Sequence, residues 1–217
     1  MLTVAAPAAP VAGCILAGGR SQRMGGGDKA LLPLGGRPLV AHVADRLAPQ
    51  VGALVLNANG DPARFAFLGL AVVADGVPDH PGPLAGILAG LDHAAGLSDR
   101  PRALVTVAAD TPFLPADFVA RLVAASEGYA RAVLARSATG VHPVCALWPL
   151  GCAAALRAFL GGGRRKVLAF ADEVGAAEAA FPEGRIGAEP VDPFFNINRP
   201  EDLAAAERFA TSREAAS

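Results

Sequence analysis

An excess of charge of either sign is missing from this 217-residue chain: 19 Lys and Arg face 20 Asp and Glu, a formal net charge of −1. That balance excludes a nucleic-acid coat and a polybasic membrane patch, both of which need surplus cations. Cysteine is scarce; Cys14, Cys145 and Cys152 form no CxxC pair. The expectation is therefore structural thiols in a reducing cytoplasm, with no disulfide framework and no thiolate metal site. Apolar runs of the ~20 residues that a membrane span requires are absent. The opening "MLTVAAPAAPVAG" has no positive segment and is broken by Pro7 and Pro10, unlike a secretory leader. The single tryptophan, Trp148, follows an apolar run and reads as core.

What the chain does have is small and apolar residues, 53% of it hydrophobic, enough to give 217 residues one sizeable core. Short apolar runs at 11–17, 51–57, 70–75 and 102–110 alternate with helical spacing at 35–50, 82–96 and 111–126. Strand, turn and helix in that order build βαβ units. The expected fold is a three-layer, Rossmann-like α/β domain around a mostly parallel sheet. It is expected to cover residues 11–210, between a disordered segment 1–10 and a flexible tail 211–217. Runs at 130–136 and 142–148 read as shorter strands that add an antiparallel edge, and 150–163 and 164–175 read as helices. A last helix follows Pro200, with Glu201 and Asp202 in its first turn, where the macrodipole favours anions.

Parallel sheets bind ligands beyond the carboxyl ends of their strands. Four features fall there: a glycine loop after the first strand, Asn57 and Asn59 after the second, Asp75 after the third and Asp110 after the fourth. The loop "LAGGRSQRMGGGDKALLPLGG" (16–36) holds seven glycines together with Arg20, Arg23 and Lys29. Glycines let backbone N–H groups converge into an anion nest, and cations beside it add charge-assisted bonds to phosphate oxygens. The loop is neither a Walker A sequence, which needs Gly-Lys-Ser/Thr, nor a GxGxxG dinucleotide fingerprint.

Residues 16–39 resemble the signature LAGGxSxRMGxxDKxLxxxxGxPL, and "PGPLAGILAGL", "ADTPFLP", "HPVCALW" and "FFNINRPEDL" follow in order. Together, from about Val11 to about Glu207, these motifs resemble the molybdenum cofactor guanylyltransferases of the molybdopterin nucleotidyltransferase family. The resemblance implies attack of the terminal phosphate of molybdopterin on the α-phosphorus of GTP, with Mg²⁺ as cofactor and pyrophosphate as leaving group. It implies nucleotide binding by Leu16, Ala17, Gly18, Gly19, Lys29, Asn57, Asp75 and Asp110. Arg23, Lys29 and Asp110 would be catalytic, and Asp110 would be the metal ligand. Asn57 and Asp75 have plain loop-capping and turn roles as alternatives; Asn59 reads as a turn residue, and Asp28 as one that orients Lys29. Molybdopterin would lie against Gly82, Pro83 and Leu84 at a helix N-terminus, Arg165 in the basic run 164–166, and Asn196 and Asn198. Cytidylyltransferases acting on the same cofactor read LAAG where this chain reads Leu16-Ala17-Gly18-Gly19, and the additional glycine leaves room for a purine. A wider small-molecule nucleotidyltransferase and a non-catalytic nucleotide-binding protein for cofactor delivery are the other readings. The product's use implies contacts with molybdoenzymes or delivery chaperones. His80 and His142, each followed by Pro, read as structural.

Overall fold

The computed structural model describes residues 11–18, 28–76, 82–186 and 189–214. The expected disordered segment 1–10, Gly19, Arg20, Arg23 and His80 lie outside the described residues, as does the end of the expected tail.

Strand β1 (Val11–Leu16) is a run of apolar residues buried on both faces, as a central parallel strand must be. Beyond the glycine loop, Lys29–Leu31 form one 3-10 turn. A two-residue hairpin follows, β2 (Pro33–Leu34) and β3 (Arg37–Pro38). The sequence reading ran a helix from residue 35; instead Gly35 and Gly36 both take positive φ, 55° and 75°, the geometry of a tight hairpin turn that only glycine-like residues adopt freely. Helix α1 (Leu39–Leu47) starts after it and buries Leu39, Val40, Val43 and Leu47 on one face. Then come β4 (Ala53–Asn57), β5 (Ala71–Val73), α2 (Pro83–Ala95) and β6 (Ala103–Ala108), with Pro83 at the first helical position. Helix α3 (Phe118–Ala125), strands β7 (Val133–Ser137) and β8 (Gly140–Pro149), helices α4 (Cys152–Gly161) and α5 (Val167–Glu173), and β9 (Ala177–Ala180) follow. The chain closes with a small ribbon, β10 (Gly184–Ile186) and β11 (Glu189–Val191), and α6 (Pro200–Glu214), which runs past residue 210, the expected end of the domain.

The main sheet has seven strands in the order β5-β4-β1-β6-β8-β7-β9. Pairs β5–β4, β4–β1, β1–β6 and β7–β9 are parallel, whereas β8 runs against both neighbours. The antiparallel strand thus lies inside the sheet, between β6 and β7, and not at the expected edge. The link from β7 to β8 is too short for a crossover, so those two must pair antiparallel. β9, which takes the edge, has no distinctive sequence signal.

Alternating side chains divide the core into two layers. Val11 and Ile15 of β1, Val105 and Val107 of β6, and Cys145 and Leu147 of β8 pack with α1 and α3. Ala12, Cys14, Leu104, Ala146 and Trp148 pack with α2, α4 and α5 on the other face. Trp148 is core, as expected, and its indole N–H donates to Thr106 Oγ1 at 3.1 Å. Cys14 and Cys145 are fully buried, which pushes each thiol up to about 12, while Cys152 is half-buried. Among the described residues all three cysteines are free thiols and no helix is long and apolar enough to cross a membrane.

One polar cluster fixes the segment that leads toward α6. Ser137 Oγ donates to Asp192 Oδ2 at 2.7 Å, Thr139 Oγ1 donates to the same oxygen, and the Phe194 N–H donates to Oδ1 at 2.8 Å. His142 Nε2 lies 2.7 Å from Ser137 Oγ, and the imidazole stacks on Phe194 with centroids 4.6 Å apart. His142 belongs to β8, where burial holds its pKa below the ordinary value against the opposing pull of Asp192. A folded pKa below the unfolded one means that the unfolded chain takes up the proton first. The stabilisation is therefore complete above the ordinary histidine range and is lost as pH falls through the folded value. Thermal melts should show the protein losing a few degrees between about pH 7.5 and 5.5, and His142→Gln should flatten that slope.

Candidate active site

Strand order places the switch point of the sheet between β1 and β6, since the chain moves out from β1 to β4 and β5 and then returns to β6. A crevice of about 970 Å³ opens at that point, beyond the carboxyl ends of the strands. Leu16, Ala17, Gly18, Lys29, Asn57, Asp110 and Asn198 all line it.

At its centre, Lys29 Nζ pairs with Asp110 Oδ2 and donates to Asn198 Oδ1 at 2.6 Å and to Asn196 Oδ1 at 3.2 Å. An ammonium has three N–H donors, and three acceptors from two distant segments surround it. Both charged side chains of the pair are 17% exposed. Asp110 follows β6, its backbone carbonyl accepting from the Ile197 N–H at 3.1 Å. That bond ties the Asn196–Asn198 segment to the end of β6. Among the described residues, Asp110 Oδ1 is a buried oxygen with no hydrogen-bond partner. An orphaned carboxylate oxygen beside an open crevice is the donor expected for a hard cation completed by waters and phosphate oxygens. Among the described residues, no group of three His, Cys, Asp or Glu could by itself cage a metal ion.

Asn57, at the end of β4, also lines the crevice and carries a polar group that β4 and β5 build beside it. Asn57, almost fully buried, donates from Nδ2 to Asp75 Oδ1 at 2.9 Å and to the Val73 carbonyl at 3.2 Å. Asn59, read as a turn residue in the sequence, instead grips Asp75 twice: its Nδ2 donates to Oδ2 at 2.7 Å, and its Oδ1 accepts from the Asp75 N–H at 2.9 Å. Gly18 faces this group. A Cβ there would stand 3.2 Å from Asn57 Oδ1 and 3.8 Å from Asp75 Oδ2. Gly86 of α2 is the support behind it, because a Cβ would overlap Asn57 Oδ1 at 2.2 Å.

Arg64 joins the two groups, and nothing in the motifs marks it. Its Nε donates to Asp28 Oδ2 at 2.9 Å and its Nη2 to the Asn59 carbonyl at 2.6 Å. Asp28 therefore caps the Lys29 turn, accepting from the Ala30 N–H at 3.1 Å, and answers Arg64; it makes no direct bond to the lysine it was expected to orient. The one local signal was Asp61-Pro62, a capped 3-10 start that fixes where Arg64 falls.

The structure gives several expected residues roles other than the expected ones. The Ala17 N–H donates to the Asn57 carbonyl at 2.8 Å, so it extends the sheet and is not a free member of an anion nest. The Leu84 side chain is buried in the core, and only Gly82 and Pro83 of that trio line the crevice. Arg165 turns back to the Leu160 and Arg164 carbonyls, at 2.8 and 2.6 Å. Its neighbour Arg164 pairs with Glu173 and stacks over Phe159. The run 164–166 therefore trims the α4–α5 corner.

A family profile described as the MobA-like NTP transferase domain matches residues 13–176. A molybdenum cofactor guanylyltransferase of Cereibacter sphaeroides is 52% identical over 196 residues, 90% of this chain and 94% of that protein. The chain belongs to the MobA-like NTP transferases. A second relative with the same name, from Bradyrhizobium sp. (strain ORS 278), is 50% identical over 206 residues, 94% of this chain and 95% of its own. Among solved structures, molybdopterin-guanine dinucleotide biosynthesis protein A from Archaeoglobus fulgidus matches with a TM-score of 0.70 at 23% identity, over 92% of this chain and 98% of that one. That likeness is one of fold, and it extends the three-layer architecture beyond the matched domain. As a MobA-like transferase the chain is a nucleotidyltransferase, and its crevice is the place to seek the reaction.

Proposed function

We propose that this protein transfers GMP from GTP to the terminal phosphate of a molybdopterin cofactor and releases pyrophosphate. The observation that carries the reading is the lysine–aspartate pair at the switch point, with Asn57 lining the same crevice and Asp75 hydrogen-bonded to it. Neighbouring strands stand about 4.8 Å apart, so β4 and β5 lie roughly 10 and 14 Å from β6. A nucleotide laid across the strand ends with its triphosphate at Lys29 therefore brings its base to Asn57 and Asp75. The relatives' name supplies the nucleotide and the acceptor; the geometry supplies room and charge for both.

In this reading Asp110 would hold Mg²⁺, its orphaned oxygen being the available donor. The metal supplies Lewis-acid neutralisation of the phosphates when bound. Lys29 turns its donors from the asparagines toward the triphosphate and stabilises charge growing on the leaving pyrophosphate. Arg23 and the backbone of Gly18 and Gly19 are assigned to the same phosphates, and Leu16 and Ala17 to the nucleotide wall. Asn196 and Asn198, released from Lys29, face the acceptor beside Gly82 and Pro83. No general base is required of the chain, because the attacking phosphate is already anionic. We place the reaction in the cytoplasm, where free thiols persist, with a molybdoenzyme or delivery chaperone receiving the product.

The test is pyrophosphate release with Mg²⁺, molybdopterin and either GTP or CTP. Release with GTP at least about tenfold faster than with CTP is the expected result. Preference for CTP would reassign the protein to cytidylyl transfer, and nucleotide binding without release would make it a delivery protein.

A further inference from the structure

We propose that Asn59 is the positioning residue that turns Asp75 into a reader of the guanine edge. The inference rests on the guanylyl-transfer reading and deepens it by identifying what selects the base. An ionised carboxylate has about two acceptor sites on each oxygen. In Asp75 one site on Oδ1 is taken by Asn57 Nδ2 and one on Oδ2 by Asn59 Nδ2. Among the described residues, one site on each oxygen remains for a ligand. Guanine presents two adjacent donors, its N1–H and its 2-amino group, and so matches that pair. Cytosine presents an acceptor at N3 beside its single amino group, which sets a lone pair against one carboxylate oxygen. Inosine keeps N1–H and lacks the 2-amino donor.

The match requires the carboxylate plane to be fixed, and Asn59 does the fixing. Its amide closes a ring with Asp75, donating to Oδ2 and accepting from the Asp75 backbone N–H. Only one orientation of the amide satisfies both bonds, so backbone and carboxylate are held together. Asn59 is itself anchored, since its carbonyl accepts from Arg64 Nη2 at 2.6 Å. Gly18 keeps the approach open: the nearest atoms to a Cβ at that position are Asn57 Oδ1, Asn59 Nδ2 and Asp75 Oδ2. Asn59 acts through Asp75.

The experiment is calorimetric binding of GTP, inosine triphosphate, CTP and inorganic pyrophosphate, each with Mg²⁺, to the wild type, Asn59→Ala and Asn59→Asp. The wild type should favour GTP over inosine triphosphate by about 10- to 100-fold, the effect of one hydrogen bond to a charged group. In Asn59→Ala that ratio should collapse to within about threefold, while pyrophosphate affinity stays at the wild-type value, because the phosphate end is untouched. Asn59→Asp keeps the acceptor for the Asp75 N–H and puts a second carboxylate beside the first; it should lose GTP affinity the same way. A GTP-selective wild type whose Asn59 variants keep the GTP-to-inosine ratio overturns the inference alone. A wild type that binds CTP as tightly as GTP overturns the guanylyl reading, and this inference with it.

Discussion

Replacing Lys29 with alanine is expected to lower the rate of nucleotidyl transfer by about 10²- to 10³-fold, the loss typical of one preorganised donor aimed at developing charge. The ammonium is the one described cation at the centre of the crevice, and its three donors are held by Asp110, Asn196 and Asn198. It is therefore poised without a search through side-chain rotamers. Removing it leaves Asp110 facing an open, hydratable crevice, so the cost to stability should be about 1 kcal/mol and the far-ultraviolet circular dichroism should remain native. Lys29→Arg should recover little, since a planar guanidinium cannot reproduce contacts to three acceptors grouped around a point charge. Steady-state rates with purified Lys29→Ala and Lys29→Arg, at saturating Mg²⁺, check both statements. Wild-type rates in the alanine variant would remove Lys29 from the chemistry.

Asp110→Asn should have a comparable effect on rate for a different reason. The substitution keeps size and shape, and its carbonyl oxygen can still accept from Lys29. What disappears is the negative charge and the second anionic oxygen, the one that is buried without a partner. A hard divalent cation depends on that charge, so Mn²⁺ affinity in the presence of GTP should fall by at least about 10- to 100-fold, the loss already seen when only a ligand's hydrogen-bond partner is removed. Titration with Mn²⁺ followed by electron paramagnetic resonance reads this directly, independent of turnover. Unchanged Mn²⁺ affinity would place the metal elsewhere.

The lysine and the aspartate were legible because motif and topology agree. Lys29 belongs to a glycine loop after a buried apolar run, Asp110 ends another such run, and a parallel sheet gathers strand ends at one side. Asn57 and Asp75 were legible on the same ground. Their mutual bond, and the part played by Asn59, were not: an Asn two residues past a strand end reads equally well as a turn. Arg64 escaped because its role depends on Asp28, 36 residues away, and no local pattern encodes a contact of that range. The sequence reading assigned Lys29 to one substrate and Asn196 and Asn198 to the other. The structure brings all three together, since the backbone bond from Ile197 to Asp110 sets the asparagine segment beside β6. Arg165 shows the reverse failure. A run of three cations looked like a phosphate site, but the Leu160 and Arg164 carbonyls and Glu173 engage its arginines at the α4–α5 corner. The interior position of β8 was hidden for a topological reason, because a short turn dictates that two strands pair antiparallel without saying where the pair enters the sheet.

The proposed reaction requires one crevice to take a metal-bound guanosine triphosphate, with Lys29 and Asp110 at the phosphates and Asp75 at the base. A crystal structure of the protein with a non-hydrolysable GTP analogue and Mn²⁺, the metal located by its anomalous scattering, tests it most directly. The expected result is manganese on Asp110, the Lys29 ammonium on phosphate oxygens, and the guanine edge against Asp75. Manganese away from Asp110, or a nucleotide bound outside this crevice, would contradict it.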